Sequence, residues 1–285
     1  MSEATARPSP YHLVDAPGPS AFMRDPKRFW SLLWLSSRME FKVRYSDQVL
    51  GYAWALLQPL ALFGVLYLVF THVFGFGDTI PYYAALLVFG IVLFSFFTDA
   101  VGAAVPSVVG AESVVRKTQF PRAVVPLGVV MTSLMTLAFN LGAISVFIYL
   151  SDTEPRWSWL LVPFMIALLI VFTACTAMWL SALYTRYRDI GQAWTVVSRV
   201  LFYATPILFP IELVSNPLRQ IFIANPLAPI FIESRRAIFD PAAMSTLEAA
   251  NGPIPILISV TLFVTICFFG VRYFVRLAPR IAEDL

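Results

Sequence analysis

The chain has 285 residues, of which 59% are hydrophobic and 13% are charged, and its formal net charge is only +3. An ordinary soluble domain carries about twice this charged fraction, so the polar surface is too small to cover one or two soluble domains of this length. The composition therefore excludes a soluble globular protein and predicts an integral membrane protein, for which we expect no nucleic-acid partner. The two cysteines, Cys175 and Cys267, lie within apolar stretches, which favours small buried side chains over a disulfide or a metal site.

The first 24 residues are predicted to form a disordered cytoplasmic tail. Residues 1–20 are rich in Pro, Ser and Ala and contain no apolar core, so we expect no signal peptide. Residues 26–48 are predicted to form an interfacial helix, because apolar and basic residues occupy opposite faces. The apolar face comprises Phe29, Trp30, Leu33, Trp34, Met39 and Phe41.

The chain is predicted to enter the membrane within residues 41–59, which read FKVRYSDQVLGYAWALLQP. Basic residues come first, then Gly51, Tyr52 and Trp54, and then a long apolar stretch. This is the order of environments met on passing from the cytoplasm through the lipid headgroups into hydrocarbon.

Six stretches are long and apolar enough to cross about 30 Å of hydrocarbon, which takes about 20 residues. They are residues 52–73, 82–109, 123–150, 157–184, 193–213 and 254–274. The fold class is therefore an all-α integral membrane protein. The fifth span contains Tyr203, Pro206, Phe209 and Pro210 near its end, and these prolines kink or terminate it.

A further apolar piece, residues 218–239, is interrupted by Pro226, Pro229, Glu233, Arg235 and Arg236. These residues make it too polar for a seventh span. We expect it to form short helices that dip into the outer side, within a longer folded segment from Pro210 to Pro253.

The distribution of cations orients the spans, because Lys and Arg concentrate in cytoplasmic segments. With the N-terminus in the cytoplasm, only five of the 20 Lys and Arg residues lie elsewhere. Four of these fall on the outer side and one within a span, namely Arg156, Arg219, Arg235, Arg236 and Arg199. The sequence thus predicts six spans with both termini in the cytoplasm.

The spans carry little charge, but Asp99 lies midway through the second and Arg199 lies in the fifth. A charge at membrane depth is costly, so we expect it to face a cavity or a partner. Arg199 lies near the start of its span and could equally reach the cytoplasmic surface with its long side chain. A secondary transporter is disfavoured, because there is no set of buried acids and no clear internal repeat.

Two short inner loops carry concentrated charge. Residues 110–122 read GAESVVRKTQFPR, in which Glu112–Lys117 is predicted to form one or two helical turns that end at Phe120-Pro121. Residues 184–192 read YTRYRDIGQ. Each loop fits a docking element for a soluble partner, and each fits an ordinary charged connector or membrane anchor equally well.

Five segments together resemble the membrane subunits of ABC-2 type exporters. They are FKVRY with LGYAWALLQP, KTQFPR with VPL, RYRDI, FYATPILFP and NPLAPIFIESRRAIF. More narrowly, the chain resembles the permeases that export lipid-linked polysaccharides and teichoic acids. The resemblance covers residues 25–285 and implies that they form one transmembrane domain.

This resemblance implies a bacterial plasma (inner) membrane protein that works as a homodimer. Each copy would bind one ABC nucleotide-binding (ATPase) subunit, giving two permease and two ATPase copies. The chain has no G-x-x-x-x-G-K-[ST] loop, so ATP and Mg²⁺ are expected on the partner and this chain is expected to be neither an enzyme nor a cofactor-binding protein. Membrane lipid and a lipid-pyrophosphate-linked glycan are the expected ligands.

The resemblance also implies roles for individual residues. Coupling to the ATPase is expected at Glu112, Ser113, Val114, Arg116, Lys117, Phe120, Arg122, Arg188 and Asp189. An inner gate at the lipid headgroups is expected at Trp34, Arg38, Lys42, Arg44 and Tyr45. A translocation pathway is expected at Tyr52, Trp54, Gln58, Asp99, Arg199, Phe202 and Tyr203. An outer gate is expected at Pro206, Pro210, Glu212, Asn225, Pro226, Glu233, Arg235 and Arg236.

Aromatic rings suit a glycan pathway because they stack on the apolar faces of sugars. Tyr52 and Trp54 fit an interfacial aromatic belt equally well. Arg38, Lys42 and Arg44 fit the pyrophosphate linker or anionic phospholipid.

Three alternatives remain at this point. The first is an ABC-2 exporter of small lipids or drugs. The second is a membrane-embedded glycosyl or acyl transferase, although His12 lies in the tail, His72 at a span end, and no carboxylates cluster. The third is a structural membrane scaffold.

Overall fold

The computed structural model describes residues 22, 25–46, 50–112, 121–150 and 156–278. The predicted N-terminal tail lies outside them except for Phe22. Every regular element in the described ranges is helical, and those ranges contain no β-strand. The prediction of an all-α protein is therefore confirmed.

Twelve α-helices are described, together with 3₁₀ turns at Trp157–Leu160 and Ile211–Leu213. In chain order they are α1 Pro26–Ser46, α2 Ala53–His72, α3 Phe76–Thr79, α4 Tyr83–Ala104, α5 Ser107–Gly110, α6 Val124–Leu150, α7 Leu161–Arg186, α8 Ile190–Ala204, α9 Asn216–Ala224, α10 Ala228–Ile238, α11 Thr246–Ala250 and α12 Pro253–Leu277.

Within the described ranges, five of these helices are long and apolar enough to cross a membrane: α2, α4, α6, α7 and α12. They coincide with five of the six predicted spans. The second is shorter than predicted, because α4 ends at Ala104 and Pro106 separates it from the short α5.

The fifth predicted span, residues 193–213, differs from the prediction. Helix α8 ends at Ala204 after 15 residues, which is about 22 Å and less than the hydrocarbon thickness. Thr205 adopts extended backbone (φ −110°, ψ 137°), as expected for a residue that precedes proline. The chain then continues without helix as far as Pro210, and Ile207 and Leu208 are buried there, as is Ile211 at the start of the 3₁₀ turn.

Helix α4 forms the centre of the bundle. Most of its side chains are buried, and it packs against α2, α6, α7 and α8. Stacked rings extend this core outward, since Phe97 of α4 lies 5.7 Å from Phe172 of α7, which lies 5.1 Å from Phe263 of α12. The helices around α4 are consequently held in fixed positions about it.

Helix α1 lies against α6 through polar contacts. Ser37 donates to the Gly128 carbonyl at 3.1 Å, and Thr132 donates to the Ser37 carbonyl at 3.2 Å. Leu33 and Tyr45 share the buried face, whereas Trp30 is exposed on the other. These contacts hold the middle of α1 against the first half of α6.

Between α8 and α12 the chain forms a small folded unit, named here the α8–α12 segment (residues 205–252). Helices α9, α10 and α11 pack around a core of Ile211, Ile223, Ala228, Ile232, Ala249 and Ala250. The expectation of short helices over residues 218–239 is correct, with the break at Asn225-Pro226.

Candidate functional site

A cavity of about 1050 Å³ lies between α1, α2, α4, α6 and α8. Its wall is formed by the last residues of α1, the first half of α2, the second half of α4, the middle of α6 and the first part of α8. Four of the predicted pathway residues line it: Trp54, Gln58, Asp99 and Arg199. This region is named the large cavity below.

Three charged side chains line the large cavity, Arg44, Asp99 and Arg199. Asp99 and Arg199 are exposed to it, so both face an accessible space rather than the packed core. Arg44 is close enough to Asp99 for their charges to interact, and it also pairs with Glu40 at 3.3 Å. A cavity with charges of both signs suits a polar substrate better than a purely apolar one.

Glu40 lies on α1 just outside the cavity wall. Burial raises the pKa of Glu40 above its ordinary value of 4.5, and the neighbouring Arg44 acts in the opposite direction. Because Arg44 lines the large cavity, protonation of Glu40 would change the partner of a cavity cation.

Of the predicted inner-gate residues, Arg44 and Tyr45 face the cavity and the other three do not. The Tyr45 hydroxyl lies 3.3 Å from the Thr136 hydroxyl of α6. The Arg38 guanidinium lies over the Trp34 ring at 5.1 Å, and both side chains are exposed, as is Lys42. Helix α1 thus presents one residue set to the cavity and another to its surroundings.

The remaining predicted pathway residues do not line the large cavity, although Tyr52 contacts a residue that does. Tyr52 stacks on Phe41 at 5.5 Å and contacts Tyr45 at 5.4 Å. Phe202 packs edge-on against Phe94 of α4 at 5.3 Å, and the exposed Tyr203 contacts Phe202. Sequence reasoning grouped these three rings with the cavity residues, whereas the structure separates them.

The predicted outer-gate residues are brought together in the α8–α12 segment. Glu212 accepts from the Met244 backbone N–H at 3.0 Å and pairs with Arg235 at 3.5 Å. Glu233 accepts from the Thr246 backbone N–H at 2.8 Å and pairs with Arg236 at 3.7 Å. Two carboxylates therefore hold the stretch that leads into α11 against the rest of the segment.

The other predicted outer-gate residues surround the end of α8. Pro206 and Pro210 are buried, and Pro226 is half-buried. Asn225 donates to the carbonyl of Ala204 and to the hydroxyl of Thr205. These contacts tie the end of α8 to the turn between α9 and α10.

Residues 31–239 match the family model for ABC-2 type transporters, which is more than half of the chain. The chain belongs to the ABC-2 type transporter family. It is therefore a multi-pass membrane permease subunit, and its nucleotide is bound and hydrolysed by a separate ATPase protein with which it pairs.

Curated relatives agree with this family. The permease is 28% identical over 207 residues to the O-antigen export system permease protein RfbA of Klebsiella pneumoniae, covering 72% of this chain and 79% of that protein. It is 26% identical over 219 residues to the protein of the same name from Myxococcus xanthus, covering 76% and 83%. The alternatives of an embedded transferase and a structural scaffold are excluded by the family.

Part of the predicted ATPase-coupling set lies outside the described residues, namely Ser113, Val114, Arg116, Lys117 and Phe120. Glu112 is half-buried at the edge of that gap. Arg122 is only 2% exposed, so its side chain lies in the interior of the permease rather than on its surface.

The second predicted coupling element is described and lies at the surface. Arg188 and Asp189 are exposed in the turn between α7 and α8, and the Arg188 guanidinium lies 5.2 Å from the centre of the Tyr184 ring. This turn is accessible to a soluble subunit.

Sequence reasoning missed one wall of the large cavity. Ser133, Thr136 and Asn140 of α6 line it, as do Ser95 and Thr98 of α4. The signal was present, because polar residues at positions i, i+3 and i+7 of an apolar span share one helical face. Such a face points toward protein or water rather than lipid.

Proposed function

We propose that this permease exports a lipid-linked polysaccharide or a teichoic-acid-type polymer from the cytoplasm to the outer side of the bacterial plasma membrane. The large cavity carries the proposal. It combines an indole ring at Trp54, charges at Asp99 and Arg199, and neutral hydrogen-bonding groups on α4 and α6. Sugar rings, a phosphate-bearing linker and hydroxyls each find a matching group there. The relatives' name, O-antigen export system permease, supports the same substrate class.

The proposed topology has six crossings with both termini in the cytoplasm. Helix α8 and the non-helical residues after it form the fifth crossing. The cation distribution supports this orientation, since all but five Lys and Arg residues then lie on the cytoplasmic side. The large cavity then lies in the cytoplasmic half, because the start of α2, the end of α4 and the start of α8 surround it.

The proposed working unit is a homodimer with two ATPase subunits, in which residues 25–285 form one transmembrane domain. The uneven burial of the long helices supports the homodimer. In the apolar stretch of α4, 78% of the residues are buried, whereas in that of α2 only 11% are buried. Asp99 and Arg199 are exposed in the single chain. A second copy would cover α2 and complete the pathway beside it.

The proposed moving parts follow from the exposed and braced residues. The turn with Arg188 and Asp189 contacts the ATPase, together with residues 112–120. Trp34, Arg38 and Lys42 form the inner gate, where the cations meet the pyrophosphate linker or anionic phospholipid. The α8–α12 segment, braced by Glu212 and Glu233, forms the outer gate.

A reconstituted system tests the substrate. The permease and its ATPase are placed in liposomes, and ATP turnover is measured with lipid-linked polysaccharide extracted from the host, with short-chain phospholipid, and with a hydrophobic dye. Stimulation by the polysaccharide alone is expected. Stimulation by the phospholipid or the dye, without any response to polysaccharide, would support export of small lipids or drugs instead.

The assembly has its own test. The tagged permease is purified in gentle detergent and weighed intact by native mass spectrometry. Two permease and two ATPase copies are expected. One permease copy per particle would contradict the homodimer and leave the exposed face of α2 to lipid.

A further inference from the structure

Two buried polar groups on the α6 wall of the large cavity have no hydrogen-bond partner within the described part of the chain. Ser133 is 4% exposed and Asn140 is 7% exposed, and both line the cavity. Among the described residues, neither the Ser133 hydroxyl nor the Asn140 side-chain carbonyl has a hydrogen-bond partner. They lie seven positions apart on one helical face, or roughly 10 Å along the axis.

Three buried threonines of the same bundle show the usual alternative, in which a side-chain hydroxyl bonds within its own helix. The buried hydroxyls of Thr132, Thr173 and Thr176 each donate to the carbonyl four residues earlier in their own helix. A buried polar group without a partner destabilises the folded state, so nearly all of them are bonded in native proteins. Ser133 and Asn140 therefore retain bonding capacity at a cost in stability, at the wall of an accessible cavity.

We propose that Ser133 and Asn140 bind sugar hydroxyls of the transported polymer inside the large cavity. This inference rests on the proposed function and adds the residues that contact the substrate. The serine hydroxyl and the asparagine amide each donate and accept hydrogen bonds, as sugar hydroxyls do. The distance between them fits a short stretch of oligosaccharide that lies along α6.

The neighbouring groups support a neutral sugar at this wall. Thr136 lies between the two residues on the same face, and its hydroxyl is already within bonding distance of Tyr45. The cationic groups, Arg44 and Arg199, belong to α1 and α8, so phosphate is drawn to those walls instead. A hydrocarbon tail against α6 would leave both polar groups unbonded and is disfavoured.

The variant that tests this site is Ser133→Ala with Asn140→Leu, which replaces both groups with apolar ones of similar size. The matched control is Ser145→Ala, since Ser145 is on the same helix, is exposed, and donates to its own Leu141 carbonyl at 2.8 Å. Each permease is reconstituted with its ATPase. The concentration of host lipid-linked polysaccharide that half-stimulates ATP turnover is then measured, together with the unfolding temperature.

We expect the half-stimulating concentration to rise by about tenfold or more in the double variant and to stay unchanged in the control. The unfolding temperature of the double variant should be equal or higher, because two unbonded buried groups have been removed. Ser133→Ala alone removes one oxygen and should give a smaller rise, so the test does not depend on the double variant.

Two outcomes would overturn the inference by itself. One is an unchanged half-stimulating concentration in both Ser133→Ala and the double variant, while the unaltered permease responds to polysaccharide. The other is a lower unfolding temperature with unchanged polysaccharide response, which would assign the two groups to a structural water. A lack of any polysaccharide response in the unaltered permease would instead overturn the proposed function, and this inference with it.

Discussion

Asn225 donates its side-chain amide to the hydroxyl of Thr205 at 2.8 Å and to the carbonyl of Ala204 at 3.1 Å. The last carbonyls of a helix have no partner within that helix, so Asn225 satisfies one at the end of α8. Its own side-chain oxygen accepts from the Leu227 N–H at 3.0 Å, and its carbonyl accepts from Ser259 of α12 at 3.3 Å. One side chain and its backbone thus connect α8, the α9–α10 turn and α12.

Replacing this residue should loosen the end of α8. Asn225→Ala removes three side-chain hydrogen bonds and is expected to lower the free energy of unfolding by about 2–3 kcal/mol. Thermal unfolding of the purified permease measures the change. The control is Asn216→Ala, because Asn216 is exposed at the start of α9. Equal unfolding temperatures for the two variants would contradict the role given to Asn225.

The contact between α7 and α12 depends on the small size of Gly270. A Cβ atom at this position would lie 2.5 Å from the Cys175 carbonyl oxygen, which is part of the backbone and cannot move away alone. Gly270→Ala should therefore separate the helices and destabilise the permease by about 1–3 kcal/mol. Gly142→Ala is the control, since a Cβ atom there would meet nothing within 4 Å. Similar unfolding temperatures in both variants would show that the helices adjust without cost.

The carboxyl group of Glu40 should make stability depend on pH. Its pKa is raised above 4.5 by burial, so between that value and the higher folded pKa the folded state holds more protons than the unfolded state. Stability is therefore expected to fall as pH rises through this window. Glu40→Gln should remove that part of the dependence when unfolding temperatures are measured from strongly acidic pH up to neutral pH.

Glu248 provides a control of opposite sign. Hydrogen bonds from the backbone and hydroxyl of Ser245 lower the pKa of Glu248, so its contribution should be lost as pH falls through the lowered value. Glu248→Gln is expected to change the acid end of the profile and leave the window of Glu40 unchanged. A Glu40→Gln profile parallel to that of the unaltered permease would refute the assignment to Glu40.

The turn between α7 and α8 is expected to couple conformational changes of the ATPase to those of the permease. Arg188→Glu reverses an exposed charge there and is expected to reduce polymer export by about tenfold or more, while the permease still folds. Surface polymer in the host and unfolding temperature are the two measurements. Arg156→Glu is the control, since Arg156 is also an exposed arginine and lies before the start of α7. Equal export by the two variants would show that this turn does not couple the permease to the ATPase.

The sequence predicted five long helices correctly because a membrane span requires little more than sufficient apolar length. For Asp99 and Arg199 the cost of charge at membrane depth favoured a cavity or a partner, with the cytoplasmic surface left open for Arg199, and both residues line the large cavity. The sequence did not separate Trp54 from Tyr52, Phe202 and Tyr203, because aromatic rings are tolerated equally by lipid, core and cavity. In a helix that is apolar on all sides, periodicity cannot distinguish these environments.

The end of α8 was predicted less well than its start. The prolines at 206 and 210 indicated a kink or an end, but apolar length favoured a continuous span to residue 213. The carbonyl of Ala204, at the end of α8, accepts its hydrogen bond from Asn225, which is 21 residues away in the sequence. Local patterns contain no information about such a partner, so the end of the helix at Ala204 could not be placed from the sequence.

The burial of α4 has a consequence for how the protein is made. Helix α4 is synthesised before α6, α7 and α8, so the side chains that are packed in the finished protein first meet lipid. Its mean hydropathy of 2.2 is high enough for it to remain in the bilayer alone, and later helices displace that lipid as they arrive. Asp99 already makes insertion of α4 less favourable, because it places a carboxyl group in the bilayer. A second charge on the packed face of α4 would therefore reduce the yield of inserted protein before transport could be measured.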